Sequence, residues 1–152
     1  MKMLLKTDDG RIRVIADSAI GRPVQPWFIP DYGRNWRWRT AIAVRVGRLG
    51  KNLTRQYLGR YVDAMTKLWV PEADDCPASD FMDSAVVCGQ WLETETLPEN
   101  LIDDVIAASR FATLKTGDVI AVMTADEPMP IEPDAVVSVS LLNQEIMKIN
   151  IK

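Results

Sequence analysis

The chain has 152 residues, of which 47% are hydrophobic and 26% are charged, and its net charge is −3. This length and composition are typical of one globular domain that can bury a core, and no apolar run approaches a membrane span. The sequence contains no histidine. That absence excludes a Ser-His triad and removes the commonest metal ligand.

Targeting and redox signals are weak throughout the chain. The stretch 1–6 is too short and too soon charged to be a signal peptide. Two cysteines, Cys76 and Cys88, do not make a disulfide framework, so reduced thiols are expected. We therefore predict a cytoplasmic protein that does not bind a membrane.

Charge is unevenly distributed along the sequence. Residues 1–60 hold 13 Lys and Arg against 4 Asp and Glu, whereas residues 61–152 hold 5 against 17. Such asymmetry can mark a nucleic-acid-binding arm, but the basic residues here lie within predicted strands and turns. We predict instead that the two halves face one another, or face a second subunit.

Short strands and turns are predicted in the first part of the chain. An Asp-Gly turn between two alternating stretches indicates a hairpin, and prolines and glycines indicate a connector before a longer strand. The predicted elements are strands at 3–6 and 11–15, a connector at 17–35 with a short strand at 27–29, a strand at 36–47 and a turn at 48–52.

A helix is predicted over 55–65, because Thr54 can cap it and Tyr57, Leu58 and Tyr61 follow at helical spacing. Residues 66–70 extend this helix or form a strand, and either element is expected to end at Pro71. An acidic loop is predicted over 71–80.

The second half is predicted to contain short strands around one further helix. Its elements are strands at 85–88 and 91–93, a helix at 101–111 capped by Asn100, a strand at 119–124 and a hairpin of 136–142 with 146–151. Leu101, Val105, Ala108 and Phe111 are expected to point inward. The predicted fold class is mainly β with two helices (α+β), arranged as a mixed β-roll or barrel.

The strand at 36–47 begins with alternating tryptophan and arginine. Side chains alternate along a strand, so Arg37 and Arg39 share one face with Ala41, while Trp36 and Trp38 share the other. Aromatic and arginine side chains together can bind single-stranded nucleic acid. No wider basic and aromatic platform accompanies them, so we predict one buried face, one charged face and no nucleic-acid partner.

Other candidate sites receive little support from the sequence. An acidic cluster could bind calcium but lacks the EF-hand spacing, so a solvated loop is favoured; its members are Asp74, Asp75, Asp80 and Asp83. The two cysteines have no histidine to complete a zinc site. No serine has a general base in a recognised arrangement.

Three stretches resemble the fumarylacetoacetate hydrolase family, specifically its C-terminal catalytic domain. They follow the order of the family over roughly residues 22–151, and they are 28–53, 83–89 and 110–120. The last, Arg-Phe-Ala-Thr-Leu-Lys-Thr-Gly-Asp-Val-Ile, is the most specific. The resemblance implies the family's mixed β-roll and its usual homodimer. It also implies one shortened domain over 1–152, without the family's N-terminal segment and without a strand pair near residue 100.

The resemblance implies Mg²⁺ or Mn²⁺ chemistry on acylpyruvate-like keto acids, but the ligand positions have changed. The two metal glutamates of the family fall on Arg39 and Ala41, and its metal aspartate falls on Val70. The family's lysine falls on Asp80, while Thr124 is kept from its Gly-Thr-Pro loop. Mg²⁺ needs anionic oxygen ligands and arginine stays protonated, so we predict no metal cofactor.

Three functions follow from this comparison. The favoured one is a catalytically degenerate structural or interaction protein. The second is a metal-independent binder of a small carboxylate ligand, held by Arg37 and Arg39 with Thr124. The third is a hydrolase, decarboxylase or isomerase with a relocated site, for example on acidic residues of the 72–83 loop, where a metal on Asp75, Asp80 or Asp83 would favour it.

Overall fold

The computed structural model describes residues 1–76, 79–94 and 96–152. Eleven strands are assigned in this part of the chain, with one α-helix and two short 3-10 helices. The strands are β1 (Met3–Lys6), β2 (Ile12–Ile15), β3 (Ile20–Gly21), β4 (Arg34–Val46), β5 (Val62–Asp74), β6 (Val86–Cys88), β7 (Leu92–Glu93), β8 (Val119–Met123), β9 (Met129–Pro130), β10 (Val136–Leu141) and β11 (Gln144–Asn150). The helices are 3-10 turns at Asp17–Ala19 and Arg55–Arg60, and α1 (Glu99–Phe111).

One curled sheet of nine strands organises the molecule. Its strand order is β2-β1-β8-β4-β5-β6-β3, with β7 added to β5 and β9 added to β4, while β10 and β11 form a separate hairpin. Strands β1 and β8 pair in parallel and most other pairs are antiparallel. The mainly β, mixed roll predicted from the sequence is confirmed.

The predicted N-terminal hairpin is present. Strands β1 and β2 pair antiparallel from Met3 opposite Ile15 to Lys6 opposite Ile12. Gly10 has a φ of +82°, a conformation that glycine adopts without steric cost. The connector that follows is less regular than expected, since the strand at 27–29 is reduced to one bridge between Trp27 and Ile151.

The helix predicted over 55–65 is wrong in its length and type. A 3-10 helix ends at Arg60, and the Thr54 side chain does not cap it. From Val62 the chain is β5, which pairs along its length with β4. Most of β5 is buried on both faces, so its apolar residues show no period-2 alternation that would distinguish a strand from a helix.

Pro71 does not end the strand, contrary to expectation. It lies opposite Trp38 of β4, and β5 continues to Asp74, so the first residues of the predicted acidic loop are strand. On its other side β5 pairs with β6 only as far as Trp69 in the described part of the chain. The missing N–H of Pro71 therefore interrupts no hydrogen bond with β6.

Helix α1 ends at Phe111, as predicted, but its N-terminal end lies two residues earlier than expected. It begins at Glu99 after Pro98 rather than at a cap on Asn100. Leu101 and Val105 are fully buried, as predicted, whereas Phe111 is 84% exposed. Phe111 is the last residue of the helix, and its ring borders a shallow groove beside Leu4 instead of entering the core.

The uneven charge of the sequence is neutralised mainly within the chain. Of thirteen ion pairs among the described residues, ten join a residue of 1–60 to a residue of 61–152. The two halves of the chain therefore face one another, as predicted. No helix in the described part of the chain is long and apolar enough to cross a membrane.

Candidate functional site

A polar cleft of about 380 Å³ lies beside the first half of β4. Its walls come from the turn after β1, from β2, from β4 and from the end of β5. Four arginines and several carboxylates face it, among them Asp8, Arg11, Arg13, Arg37, Arg39 and Glu72. A cleft of this size can take a small molecule.

The three positions that the resemblance assigns to metal ligands do meet in space. Arg39 lies directly opposite Val70 in the β4–β5 ladder, and Ala41 is the next residue on the same face of β4. Ala41 and Val70 are completely buried, so this part of the site is apolar. The three positions are thus close enough together to share one site, as the resemblance implies, but their side chains are not those of a metal site.

Two carboxylates hold the guanidinium of Arg39. Its Nη2 lies 2.9 Å from Oε1 of Glu72, and its Nη1 pairs with Asp8. The Arg39 side chain is only 13% exposed, and its Nε is buried without a hydrogen-bond partner among the described residues. Burial acts to lower the pKa of Arg39, but hydrogen bonds and charges from Asp8 and Glu72 outweigh it and raise the pKa. The guanidinium is therefore charged and fixed.

The other arginines of the cleft are also paired. Nη1 of Arg37 lies 3.2 Å from Oδ1 of Asp74, and its Nε lies 3.8 Å from Oε2 of Glu72. The same guanidinium donates to the carbonyl oxygen of Asn35. Hydrogen bonds from Asn35 and Arg37 lower the pKa of Asp74. On the opposite wall, Arg13 lies 2.6 Å from Asp80 and Arg11 lies 2.7 Å from Asp9. Asp80, where the family has lysine, thus faces an arginine.

Mg²⁺ and Mn²⁺ do not fit this arrangement. Such ions take carboxylate oxygens as ligands, and the two carboxylates nearest to the aligned position, Asp8 and Glu72, are already engaged by Arg39. A divalent ion would lie beside the fixed positive charge of Arg39. The other two positions that the resemblance assigns to metal ligands, Ala41 and Val70, would offer it no oxygen ligand. The residues present suit a guanidinium and not a metal.

Thr124 lies apart from the paired arginines. Its Oγ1 is 2.9 Å from the Asp126 carboxylate and 3.0 Å from the carbonyl oxygen of Thr40. Asp126 and Thr40 line a second cavity of about 420 Å³, on the tryptophan side of β4, which Arg39 also borders. The structure therefore brings Arg37 and Arg39 together on one cleft and places Thr124 beside another cavity.

The acidic cluster of the sequence is mostly neutralised by arginines. Asp74 pairs with Arg37, Asp75 pairs with Arg34, and Asp80 pairs with Arg13. Within 1–76, 79–94 and 96–152, no group of three or more metal-type side chains converges. Pro77 and Ala78 of the predicted acidic loop lie outside the described residues.

Both cysteines are free thiols, as expected. Burial raises the pKa of Cys88 to about 11, so its thiol is neutral at physiological pH.

Sequence reasoning missed Asp8, Glu72 and Arg13 as members of this site. Asp8 lies in a surface turn and Arg13 on an edge strand, and no local pattern indicates that either reaches β4. Glu72 gave a usable signal, because it follows Val70 at strand spacing on the same face. That signal is visible only once residues 62–74 are recognised as a strand.

A curled mixed sheet with a polar cleft over its two central strands defines an α+β roll with a pocket of small-molecule size. No family model and no curated protein sequence matches the chain. Solved structures do match. A 2-hydroxyhepta-2,4-diene-1,7-dioate isomerase from Mycobacterium marinum is 18% identical, with a TM-score of 0.86 over 99% of this chain and 73% of that one.

Two further structures have the same fold. A fumarylacetoacetate hydrolase family protein from Yersinia pestis CO92 is 12% identical, with a TM-score of 0.84 over 99% of this chain and 92% of that one. A maleylpyruvate hydrolase from Sphingobium sp. SYK-6, in complex with manganese(II) and pyruvate, is 16% identical, with a TM-score of 0.80 over 99% of this chain and 69% of that one. The chain therefore has the fold of fumarylacetoacetate hydrolase family proteins, as the sequence resemblance predicts.

Proposed function

We propose that this chain is a catalytically degenerate protein of the fumarylacetoacetate hydrolase fold, which serves as a structural or interaction protein. One observation carries the proposal: the guanidinium of Arg39 is held between Asp8 and Glu72 at the position the resemblance assigns to a metal ligand. A fixed internal cation takes the place that a bound divalent ion would need. The cleft is thereby converted from a site for an ion into an ion-pair network.

This network supplies a structural role for residues that would otherwise suggest chemistry. Asp8 belongs to the turn of the N-terminal hairpin, whereas Arg39 and Glu72 belong to the two central strands. The Arg39–Asp8 pair ties the turn of this hairpin to β4, and the Arg39–Glu72 pair joins β4 to β5. Breaking a partly buried ion pair of this kind destabilises the fold strongly, because removal of one partner leaves an uncompensated charge.

The proposal is tested by assays of the reactions that structural neighbours and the family resemblance suggest. We expect no hydrolysis of acylpyruvates such as maleylpyruvate, and no decarboxylation of oxaloacetate, with saturating Mg²⁺ or Mn²⁺. Turnover that rises with Mn²⁺ and falls on Arg39→Gln or Glu72→Gln would contradict the proposal. It would favour the enzyme alternative.

A second candidate is a metal-independent binder of a small carboxylate ligand. Four arginines face one cleft of about 380 Å³, which specifically favours an anionic occupant. This candidate predicts saturable binding of pyruvate that weakens about tenfold on Arg37→Gln, the loss of one charge-assisted hydrogen bond. The preferred proposal predicts no binding in a calorimetric titration, because each of the four guanidiniums already has a carboxylate partner.

Assembly and location complete the proposal. The sequence resemblance implies a homodimer, and the acidic, cysteine-poor composition is consistent with a cytoplasmic protein. Neither a nucleic acid nor a membrane is proposed as a partner.

A further inference from the structure

The second cavity, of about 420 Å³, lies on the tryptophan side of β4, between the sheet and the C-terminal hairpin. Its walls come from β4, β5, β10 and the segment that leads into β9. A cavity of this volume can hold a small molecule. Arg39 also borders it, but the Arg39 guanidinium is held by Asp8 and Glu72, so it contributes no free charge to this cavity.

A β-bulge shapes the hairpin wall of the cavity. Val139 lies opposite Met147, whereas Ser140 lies opposite Glu145, so Ile146 is an extra residue on β11. Val139 and Ser140 both line the cavity, although neighbouring residues of a regular strand point to opposite faces. Bulges bend a strand and re-aim its side chains, and they are over-represented next to active sites. The hairpin is therefore locally reshaped where it forms the wall of the cavity.

Three charged side chains that line this cavity have no ionic partner among the described residues. They are Lys67 of β5 and, from the segment that leads into β9, Asp126 and Glu127. The two signs lie on opposite sides of β4, because β5 pairs with one edge of this strand while the carboxylates follow β8, which pairs with the other edge. Two strand spacings, roughly 10 Å, separate β5 from β8. A ligand that neutralises all three groups therefore needs opposite charges at separate positions.

Hydroxyl groups fix the carboxylate of Asp126 without neutralising it. Oγ1 of Thr124 lies 2.9 Å from Oδ2 of Asp126 and 3.0 Å from Oγ1 of Thr40, which is 3.5 Å from the same carboxylate oxygen. Threonine hydroxyls are neutral donors, and an ionised carboxylate has about four acceptor positions. Asp126 thus retains both its negative charge and free acceptor positions for a cationic ligand.

An indole ring borders the cavity beside the charged groups. Trp38 is half-buried, and its ring lies 6.3 Å from that of the completely buried Trp69, so the indole is packed against the core. The side chains of Met129 and Val139 add apolar surface to the cavity. The face of an indole attracts cations, and a guanidinium also stacks on it. This wall therefore favours a ligand that has an apolar stem and a cationic group.

We infer that the cavity binds a free α-amino acid with a cationic side chain. The carboxylate of the ligand pairs with Lys67, and its two cationic groups pair with Asp126 and Glu127. One positive and two negative groups of the protein thereby meet one negative and two positive groups of the ligand. The apolar stem of the amino acid lies against Trp38. This site is separate from the ion pairs of Arg39 and does not rest on the function proposed above.

Other small ligands complement these charged groups less completely. A dicarboxylate places like charges against Asp126 and Glu127, which is unfavourable. A diamine leaves Lys67 without a counterion. A neutral sugar neutralises none of the three groups. The combination of one free cation with two free carboxylates is what selects an amino acid with a cationic side chain.

Calorimetric titration of the full chain with three probes of similar size tests this inference. L-Arginine carries all three charges, whereas L-citrulline has a neutral side chain and agmatine lacks the carboxylate. We expect saturable binding of L-arginine. Each of the other two probes is expected to bind at least about tenfold more weakly, because each loses one charge-assisted hydrogen bond.

Charge-neutralising variants assign the contacts. Lys67→Gln is expected to weaken L-arginine binding about tenfold but not to weaken agmatine binding, since agmatine has no carboxylate for Lys67 to bind. The double variant Asp126→Asn and Glu127→Gln is expected to weaken binding of both probes about tenfold or more. Lys51→Gln and Glu93→Gln are the matched controls, because each neutralises an exposed residue outside the lining of the cavity. Neither control should change the affinity for L-arginine.

Several outcomes of these titrations would overturn the inference. One is the absence of saturable L-arginine binding. Another is equal affinity for L-arginine, L-citrulline and agmatine, and a third is an L-arginine affinity that Lys67→Gln leaves unchanged. None of these outcomes bears on Arg39 or on Mn²⁺ binding, so the inference and the proposed function can fail separately.

Discussion

Replacing Arg39 by glutamate is expected to lower the free energy of unfolding by about 3 kcal/mol and to make stability depend on Mn²⁺. The substitution removes the cation between Asp8 and Glu72 and adds a third carboxylate in its place. Loss of one partner from a largely buried ion pair typically costs about 3–5 kcal/mol, and the side chain here is 13% exposed, which places the effect at the lower end.

Mn²⁺ should reverse much of this loss, because three carboxylates would then converge where the guanidinium lay. A ligand present at about a hundred times its dissociation constant stabilises the folded state by about 2.7 kcal/mol. Thermal unfolding with and without Mn²⁺ measures both effects. The matched control is Arg45→Glu, which reverses an arginine on the same face of β4 that pairs with Asp63 at 3.0 Å on the surface.

The control should cost about 1 kcal/mol or less and show no response to Mn²⁺, as exposed pairs contribute little. If Arg39→Glu were no more destabilising than Arg45→Glu, the guanidinium of Arg39 would not be the internal cation proposed here. If both variants responded equally to Mn²⁺, the response would not arise from the site.

Replacing Asp118 by alanine is expected to destabilise the fold by about 3 kcal/mol at neutral pH. Its carboxylate is 2% exposed, lies 2.5 Å from Nζ of Lys2, and accepts hydrogen bonds from the N–H groups of Lys2 at 3.0 Å and Lys115 at 2.8 Å. One acidic side chain thus joins the N-terminus to the turn before β8. Removal of a buried acceptor of charged donors leaves those donors unsatisfied.

The contribution of Asp118 should also depend on pH. Burial acts to raise its pKa, but hydrogen bonds from Lys2 and Lys115 and the charge of Lys2 outweigh burial, so the pKa lies below its ordinary value in the folded state. A lowered folded-state pKa means that the stabilisation is fully present above the ordinary carboxyl pKa. It is lost as pH falls through the lowered value.

Denaturant unfolding of the unmodified chain and of Asp118→Asn across this range measures the difference. The gap in unfolding free energy between the two proteins should be largest near pH 7 and should shrink in acid. A gap that is constant with pH would show that the carboxylate charge of Asp118 does not contribute.

Much of the fold could be predicted from the sequence because its signals are local. The Asp-Gly turn specifies the first hairpin, and the Gly-Asp-Val-Ile stretch around Asp118 forms the turn that leads into β8. Strand β5 was predicted only as one of two alternatives over 66–70, because burial of both its faces removes the alternation that identifies a strand. The inward orientation predicted for Phe111 was wrong, because helical periodicity does not reveal that the neighbouring elements stop short of the end of the helix.

The candidate site, too, could be predicted from the sequence only in part. Arg37 and Arg39 follow from period-2 alternation along β4, which puts both on one face. Their partners could not be found by local pattern. Asp8 reaches Arg39 only through the fold of the N-terminal hairpin, and Arg13 reaches Asp80 across a separation of 67 residues. Thr124 was grouped with the arginines on resemblance alone, and the structure places it beside Asp126.

The most direct test of the central claim is a calorimetric titration of the unmodified protein with Mn²⁺. We propose that the guanidinium of Arg39 occupies the place of a divalent ion, so no saturable heat of Mn²⁺ binding is expected at millimolar concentrations. Tight Mn²⁺ binding by the unmodified protein, abolished by Glu72→Gln or Asp8→Asn, would contradict it.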